Sequence, residues 1–85
     1  VDNSWPVSIP NAYTASALKV TINATSTGLT VGAGASGVLN VGTGGLTNNS
    51  AGTGLTVSPG AIVTITSGTL TNGGSITNNG TVTVQ

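Results

Sequence analysis

Large aliphatic residues never run beyond two in a row along this chain, and most of them flank a single polar residue. The unit aliphatic-Thr/Asn-aliphatic, or aliphatic-Thr-Asn, recurs as Leu29-Thr30-Val31, Leu39-Asn40-Val41, Leu46-Thr47-Asn48 and Leu55-Thr56-Val57. It continues as Val63-Thr64-Ile65, Leu70-Thr71-Asn72, Ile76-Thr77-Asn78 and Val82-Thr83-Val84. A period of two puts the flanking residues on one face and the central one on the other, the signature of short half-buried strands. Leu18, Val20 and Ile22 alternate with Lys19, Thr21 and Asn23 in the same way and predict a further strand with all three aliphatics on one apolar face. Between the units lie Gly42-Thr43-Gly44-Gly45, Ser58-Pro59-Gly60 and Asn72-Gly73-Gly74, whose residues tolerate the backbone conformations of tight turns. The pattern predicts an all-β chain.

A longer period overlies the short one. The run from Gly28 (GLTV, Gly34-Ala35, VLNV, then Leu46-Thr47-Asn48) recurs in the same order from Gly54 (GLTV, Gly60-Ala61, IVTI, then Leu70-Thr71-Asn72). Equivalent strands about two dozen residues apart predict a short parallel β-solenoid of two to three coils, in which Leu29 stacks on Leu55, Leu46 on Leu70, and Asn48 on Asn72 at turns. A third, shorter coil would begin at Ile76. A small, pilin-like β-sandwich is the alternative, since regular turns at this spacing suit that fold too. Leu29, Val31, Leu39, Val41, Leu46, Leu55, Val57, Val63, Ile65, Leu70, Ile76 and Val82 are expected inside, with Thr30, Thr56, Thr64 and Thr71 outside.

Composition divides the chain. All fourteen glycines lie from residue 28 onward, whereas both charged residues, Trp5, Tyr13, Pro6 and Pro10 precede it. Proline biases its predecessor to extended backbone, so residues 1–17 are expected to form an extended N-terminal arm and residues 18–85 the β-repeat body. No charged stretch followed by an apolar core opens the chain, as expected of a mature exported product.

The charge inventory excludes whole classes of chemistry. With Asp2 and Lys19 as the only ionised side chains, and no His or Cys, the chain lacks the ligands of a side-chain metal centre, a carboxylate pair and any disulfide. One lysine does not neutralise a nucleic-acid backbone. No membrane-spanning run exists. No enzyme activity, cofactor or metal is expected. Ser16-Ala17-Leu18-Lys19 matches a Ser-x-x-Lys pattern, but that chemistry needs a helix turn between the two, and a strand is predicted here. Gly32 to Gly37 fits G-x-G-x-x-G without the following helix or acid that the fingerprint requires. The Thr-x-Thr triplets at Thr64, Thr69 and Thr81 place hydroxyls outward, though not one triplet per coil. Asn23, Asn48 and Asn79 head Asn-x-Ser/Thr sequons and are candidate glycosylation acceptors.

The run Gly68-Thr69-Leu70-Thr71-Asn72-Gly73-Gly74-Ser75-Ile76-Thr77-Asn78-Asn79-Gly80-Thr81-Val82-Thr83-Val84 resembles the secreted, low-charge β-solenoid repeat proteins of microbial surfaces, adhesins and extracellular filament subunits among them. The resemblance covers about residues 28–85. It implies an extracellular or cell-surface location and a structural role without catalysis. The expected function is that of a structural subunit of an extracellular filament or adhesive fibre. Copies would assemble head to tail as a homopolymer through β-strand contacts and the N-terminal arm, with Trp5, Val7, Ile9, Tyr13, Val82 and Val84 at the interface and a surface or glycan as a further contact. An ice-binding or carbohydrate-binding module is the alternative.

Overall fold

A computed structural model describes residues 7–24, 26–32 and 36–85. Among them are nine strands and no helix: β1 (Val7–Ile9), β2 (Thr14–Ile22), β3 (Leu29–Val31), β4 (Val38–Asn48), β5 (Thr53–Val57), β6 (Ile62–Ile65), β7 (Leu70–Asn72), β8 (Ser75–Asn78) and β9 (Thr81–Val84). They form two sheets. One runs β1-β3-β5-β8 and the other β2-β4-β6-β9, with β7 paired to the second half of β4. Every one of these pairings is parallel. The chain is thus all-β, with parallel strands in two sheets.

The register explains why a sequence of such narrow composition folds this way. Leu29 opposes Leu55 and Val31 opposes Val57; Leu39 opposes Val63 and Val41 opposes Ile65; Leu46 opposes Leu70 and Asn48 opposes Asn72. Like residues therefore lie in columns across the strands, as the repeat predicted. The aliphatics of these columns in β3, β4, β5 and β6 are buried, together with Ile9, Ile22 and Ala61. Leu70, Ile76 and Val82 are only half-buried. They sit on β7, β8 and β9, strands with no further described strand on their outer side.

Three features depart from the sequence expectations. The strands expected separately at Leu39–Val41 and Leu46–Asn48 are one strand, β4, which passes through Gly42–Gly45. Gly45 turns there with φ 74°, and a Cβ on it would run into the Thr69 backbone. Second, Leu18 does not join Val20 and Ile22 on the inner face; it is 71% exposed. Ala17 opposes Val41 while Lys19 opposes Gly45, so Leu18 alone faces Gly42, Thr43 and Gly44. That irregularity switches the inward phase from Ala15 and Ala17 to Val20 and Ile22. Third, the arm expected over residues 1–17 is, from Val7 onward, built into both sheets. β1 pairs with β3, and β2 pairs with β4 from Thr14, so the boundary expected at residue 17 falls inside a strand.

Leu55 is fully buried between Leu29 and Ile76 in its column. Leu55→Ala is expected to lower unfolding stability by about 2–5 kcal/mol. Leu18→Ala should stay within about 0.5 kcal/mol of wild type. Chemical denaturation of the two variants checks both values.

Candidate assembly edges and outward columns

Outside the core the same register generates polar columns. On the first sheet Ser8, Thr30, Thr56 and Thr77 follow one another across β1, β3, β5 and β8. On the second sheet Ser16, Asn40, Thr64 and Thr83 form a column, and Thr14, Val38, Ile62 and Thr81 form another two residues away along the strands. Thr21, Thr47 and Thr71 continue the theme across the second half of β4. On β3, β4, β5 and β6 these positions alternate with buried neighbours, so their side chains stand on the outer faces. Neighbours within a column are about 4.8 Å apart, and the two columns of the second sheet lie about 6.6 Å apart along the strand. None of these residues is charged.

A second polar feature is buried. Asn48 has no exposed surface. Its Nδ2 donates to Asn72 Oδ1 at 2.9 Å and to the Ser75 carbonyl at 3.1 Å, and its Oδ1 accepts from the Ser50 amide at 3.1 Å. Full pairing is what allows an amide to be buried in a chain of this size. Gly54 makes room for it, because a Cβ there would overlap the Asn48 carboxamide. The sequence predicted the Asn48–Asn72 stack but placed it at turns, whereas both residues end strands, and it missed the burial of the first. A signal was present: Asn48 shares its register position with Ile22 on β2, an inward residue. The side-chain-to-backbone pattern recurs nearby, with Asn72 Oδ1 accepting from the Gly74 amide, Asn78 Oδ1 from Gly80 and Ser26 Oγ from Gly28. Each is a local turn that supplies a partner for backbone leaving a strand.

The residues expected at an assembly interface separate into two groups. Val7 and Ile9 lie on β1, the outer strand at one edge of the first sheet; Ile9 is in the chain's own core, with 8% of its surface exposed. Its side chain is therefore committed within the chain rather than reaching out as part of a free arm. Tyr13 is exposed just before β2. Val82 and Val84 lie on β9, the last strand of the other sheet, where Val82 is half-buried and Val84 is 50% exposed. β1 and β2 thus mark one side of the two sheets, and β8 and β9, together with β7 on the second half of β4, the opposite side. Trp5 lies outside the described residues.

Of the three sequons, Asn79 is exposed and Asn23 half-buried. Asn48 is unsuited to carry a glycan in the folded chain, since the nitrogen a sugar would take is buried and bonded twice. Ser16 and Lys19 are both in strand β2, without the helical turn that their motif needs. No helix among the described residues follows Gly32–Gly37, and residues 33–35 of that motif lie outside the described residues. A shallow groove of about 380 Å³ at the Leu18 irregularity is lined by Ser16, Ala17, Leu18, Asn40, Val41, Gly42 and Thr66. It contains no charged group. Among the described residues no cluster of metal-ligating side chains occurs, and no helix is long and apolar enough to cross a membrane.

Asn48→Ala removes a buried partner from Asn72, Ser75 and Ser50 and is expected to cost about 1–3 kcal/mol. Gly54→Ala, which forces a methyl against the same amide, should cost a similar amount. Asn49→Ala, on an exposed side chain, should leave stability within about 0.5 kcal/mol. Urea denaturation midpoints test the set. No family model, curated protein or solved structure matches the chain.

Proposed function

We propose that the chain is a short parallel β-solenoid that serves as a structural subunit of an extracellular filament, adding copies head to tail through its sheet edges. The observation that carries this reading is the match between the two pairs of edges. If β1 of one copy pairs with β8 of the next, Val7-Ser8-Ile9 meets Ile76-Thr77-Asn78. If β2 pairs with β9, Thr14-Ala15-Ser16-Ala17 meets Thr81-Val82-Thr83-Val84. In that register outward hydroxyls meet outward hydroxyls, and aliphatic positions meet aliphatic positions, with Asn78 the one polar residue among them. The columns within one chain would then continue into its neighbour.

Strand addition uses backbone hydrogen bonds for affinity and side-chain alternation for register. A near-neutral chain also lacks the self-repulsion that keeps proteins apart. Trp5 and Tyr13 are the aromatics available to lock such a junction, together with Val7, Val82 and Val84. A heterologous contact of this type grows without closing. The inventory of side chains supports a role without catalysis, and surface or glycan adhesion remains part of the proposal.

The outward grid on the second sheet favours a second reading. Two adjacent, uncharged columns that mix hydroxyls with Val38 and Ile62 suit a repeating solid surface, either ice or an ordered polysaccharide. Thermal hysteresis, or a glycan-array signal lost on Trp5→Ala, would promote that reading over the filament.

Negative-stain images of the intact chain are expected to show filaments whose axial repeat per copy is about 19 Å, four strand spacings. Assembly should be nearly unchanged by added salt, since no charged pairs would hold the junction. Val84→Lys places a charge on the exposed edge and should leave unassembled protein with wild-type circular dichroism. A stable monomer of the unmodified chain at micromolar concentration would overturn the filament reading.

A further inference from the structure

Two asparagines in the chain are followed directly by glycine: Asn72-Gly73 and Asn79-Gly80. At such a step the absence of a Cβ lets the glycine nitrogen approach the asparagine side chain. Loss of the amide proton allows that nitrogen to attack Cγ. A C–N bond closes a five-membered succinimide ring, and the side-chain nitrogen leaves as ammonia. One water molecule then opens the ring at either carbonyl and yields aspartate or isoaspartate. The net change is one water consumed, one ammonia released and one carboxylate gained. No enzyme or oxidant is needed. What the step does need is a carboxamide free to rotate and a glycine N–H that is readily released.

The fold treats the two steps differently. Asn72 Oδ1 accepts from Asn48 Nδ2 at 2.9 Å and from the Gly74 amide at 3.2 Å, so its carboxamide is held from two sides. The attacking nitrogen, that of Gly73, donates to the Asn48 carbonyl at 2.7 Å. Asn79 lies exposed between β8 and β9, and its side chain makes no hydrogen bond among the described residues. The Gly80 amide is held at 3.0 Å by Asn78 Oδ1, an exposed side chain for which water can substitute. We infer that Asn79 is a site of spontaneous deamidation in the folded protein, while the Asn48 ladder protects the chemically identical step at Asn72.

The modification has unusual weight in this chain. Formal net charge is zero, so one new carboxylate is the only uncompensated charge. It arises between two outer strands, where charge opposes the addition of another strand. The isoaspartate product also lengthens the backbone just before Thr81, whose amide donates to the Ala61 carbonyl at 3.0 Å.

The test is independent of the filament reading, because it measures mass rather than assembly. The full chain is incubated folded at mildly alkaline pH, and in parallel in concentrated urea, and peptide mapping by mass spectrometry follows the amide-to-acid mass gain at each site. In the folded protein, conversion at residue 79 is expected to be at least about tenfold faster than at residue 72, the scale set by the hydrogen bonds that must open first. In urea the two rates should converge. Equal rates in the folded chain, faster conversion at residue 72, or a gap that survives in urea would each overturn the inference. So would a folded chain in which residue 79 stays unconverted while the urea sample reacts.

Discussion

In a parallel ladder the nearest neighbour of each side chain is the residue at the same position on the adjacent strand, about 4.8 Å away. Here that neighbour is usually of the same class, aliphatic or polar, as Leu46 and Leu70 or Thr30 and Thr56 illustrate. The constraint reaches into the composition. A charged residue repeated in such a column would place like charges a strand spacing apart, at a cost of about 1 kcal/mol per pair in water and more near protein. Threonine and asparagine fill outward columns without that cost. Lys19 fits the same logic, since it lies opposite Gly45 and stacks on no second cation. Stacking in register thus disfavours charge in the strand columns.

Constancy in the strands is bought by variability at the corners. Leu29 and Leu55 are partners, as are Leu55 and Ile76, although the second pair is closer in sequence than the first. The difference is absorbed where the chain leaves one strand for the next, at residues small or flexible enough to change path. Inside β5, Gly54 is opposed to no residue between the Thr53–Ser75 and Leu55–Ile76 pairs, so it absorbs one residue of the difference and leaves space for Asn48. Asn48, in turn, ties β4 to Asn72 and to the Ser75 carbonyl. One buried amide thereby couples the first sheet to the second at a corner, which makes the column of Ile22, Asn48 and Asn72 more than a repetition of side chains.

What was legible in the sequence follows from the same division. The partners Leu29–Leu55, Leu46–Leu70 and Asn48–Asn72 could be read because three distinct units recurred in one order, and register follows unit identity. Leu18 could not be placed that way. Its local alternation with Val20 and Ile22 favours the inner face, but its position is decided by the glycine-containing segment of β4 across from it, a non-local mismatch. Similarly, Val7–Ile9 carries too short an alternation to announce a strand, and its place is fixed only by Leu29 and Val31 beside it. The edge residues Val82 and Val84 were readable as a strand, whereas the split of the interface residues between opposite edges emerges only from the strand order.

The two pairs of edges are alike in side-chain pattern but not in their defences. Pro10 follows β1, and Lys19 is part of β2; both are residues that discourage a strand from being extended. The strands β7, β8 and β9 carry neither proline nor charge, only Leu, Ile, Val, Thr, Ser and Asn. In the proposed assembly this asymmetry has a physical consequence. Two edges of the undefended kind would pair with each other in any register that backbone geometry allowed, which leads to aggregation rather than to a fibre. When one member of each contact is constrained by a proline and a lysine at fixed positions, slips in one direction bring those residues against a strand that has no place for them. The in-register contact keeps Pro10 beyond the end of the ladder and Lys19 beyond the end of β9, while a slip the other way leaves fewer strand residues paired. Specific growth then comes from the edge that carries the obstacles, and affinity from the one that lacks them.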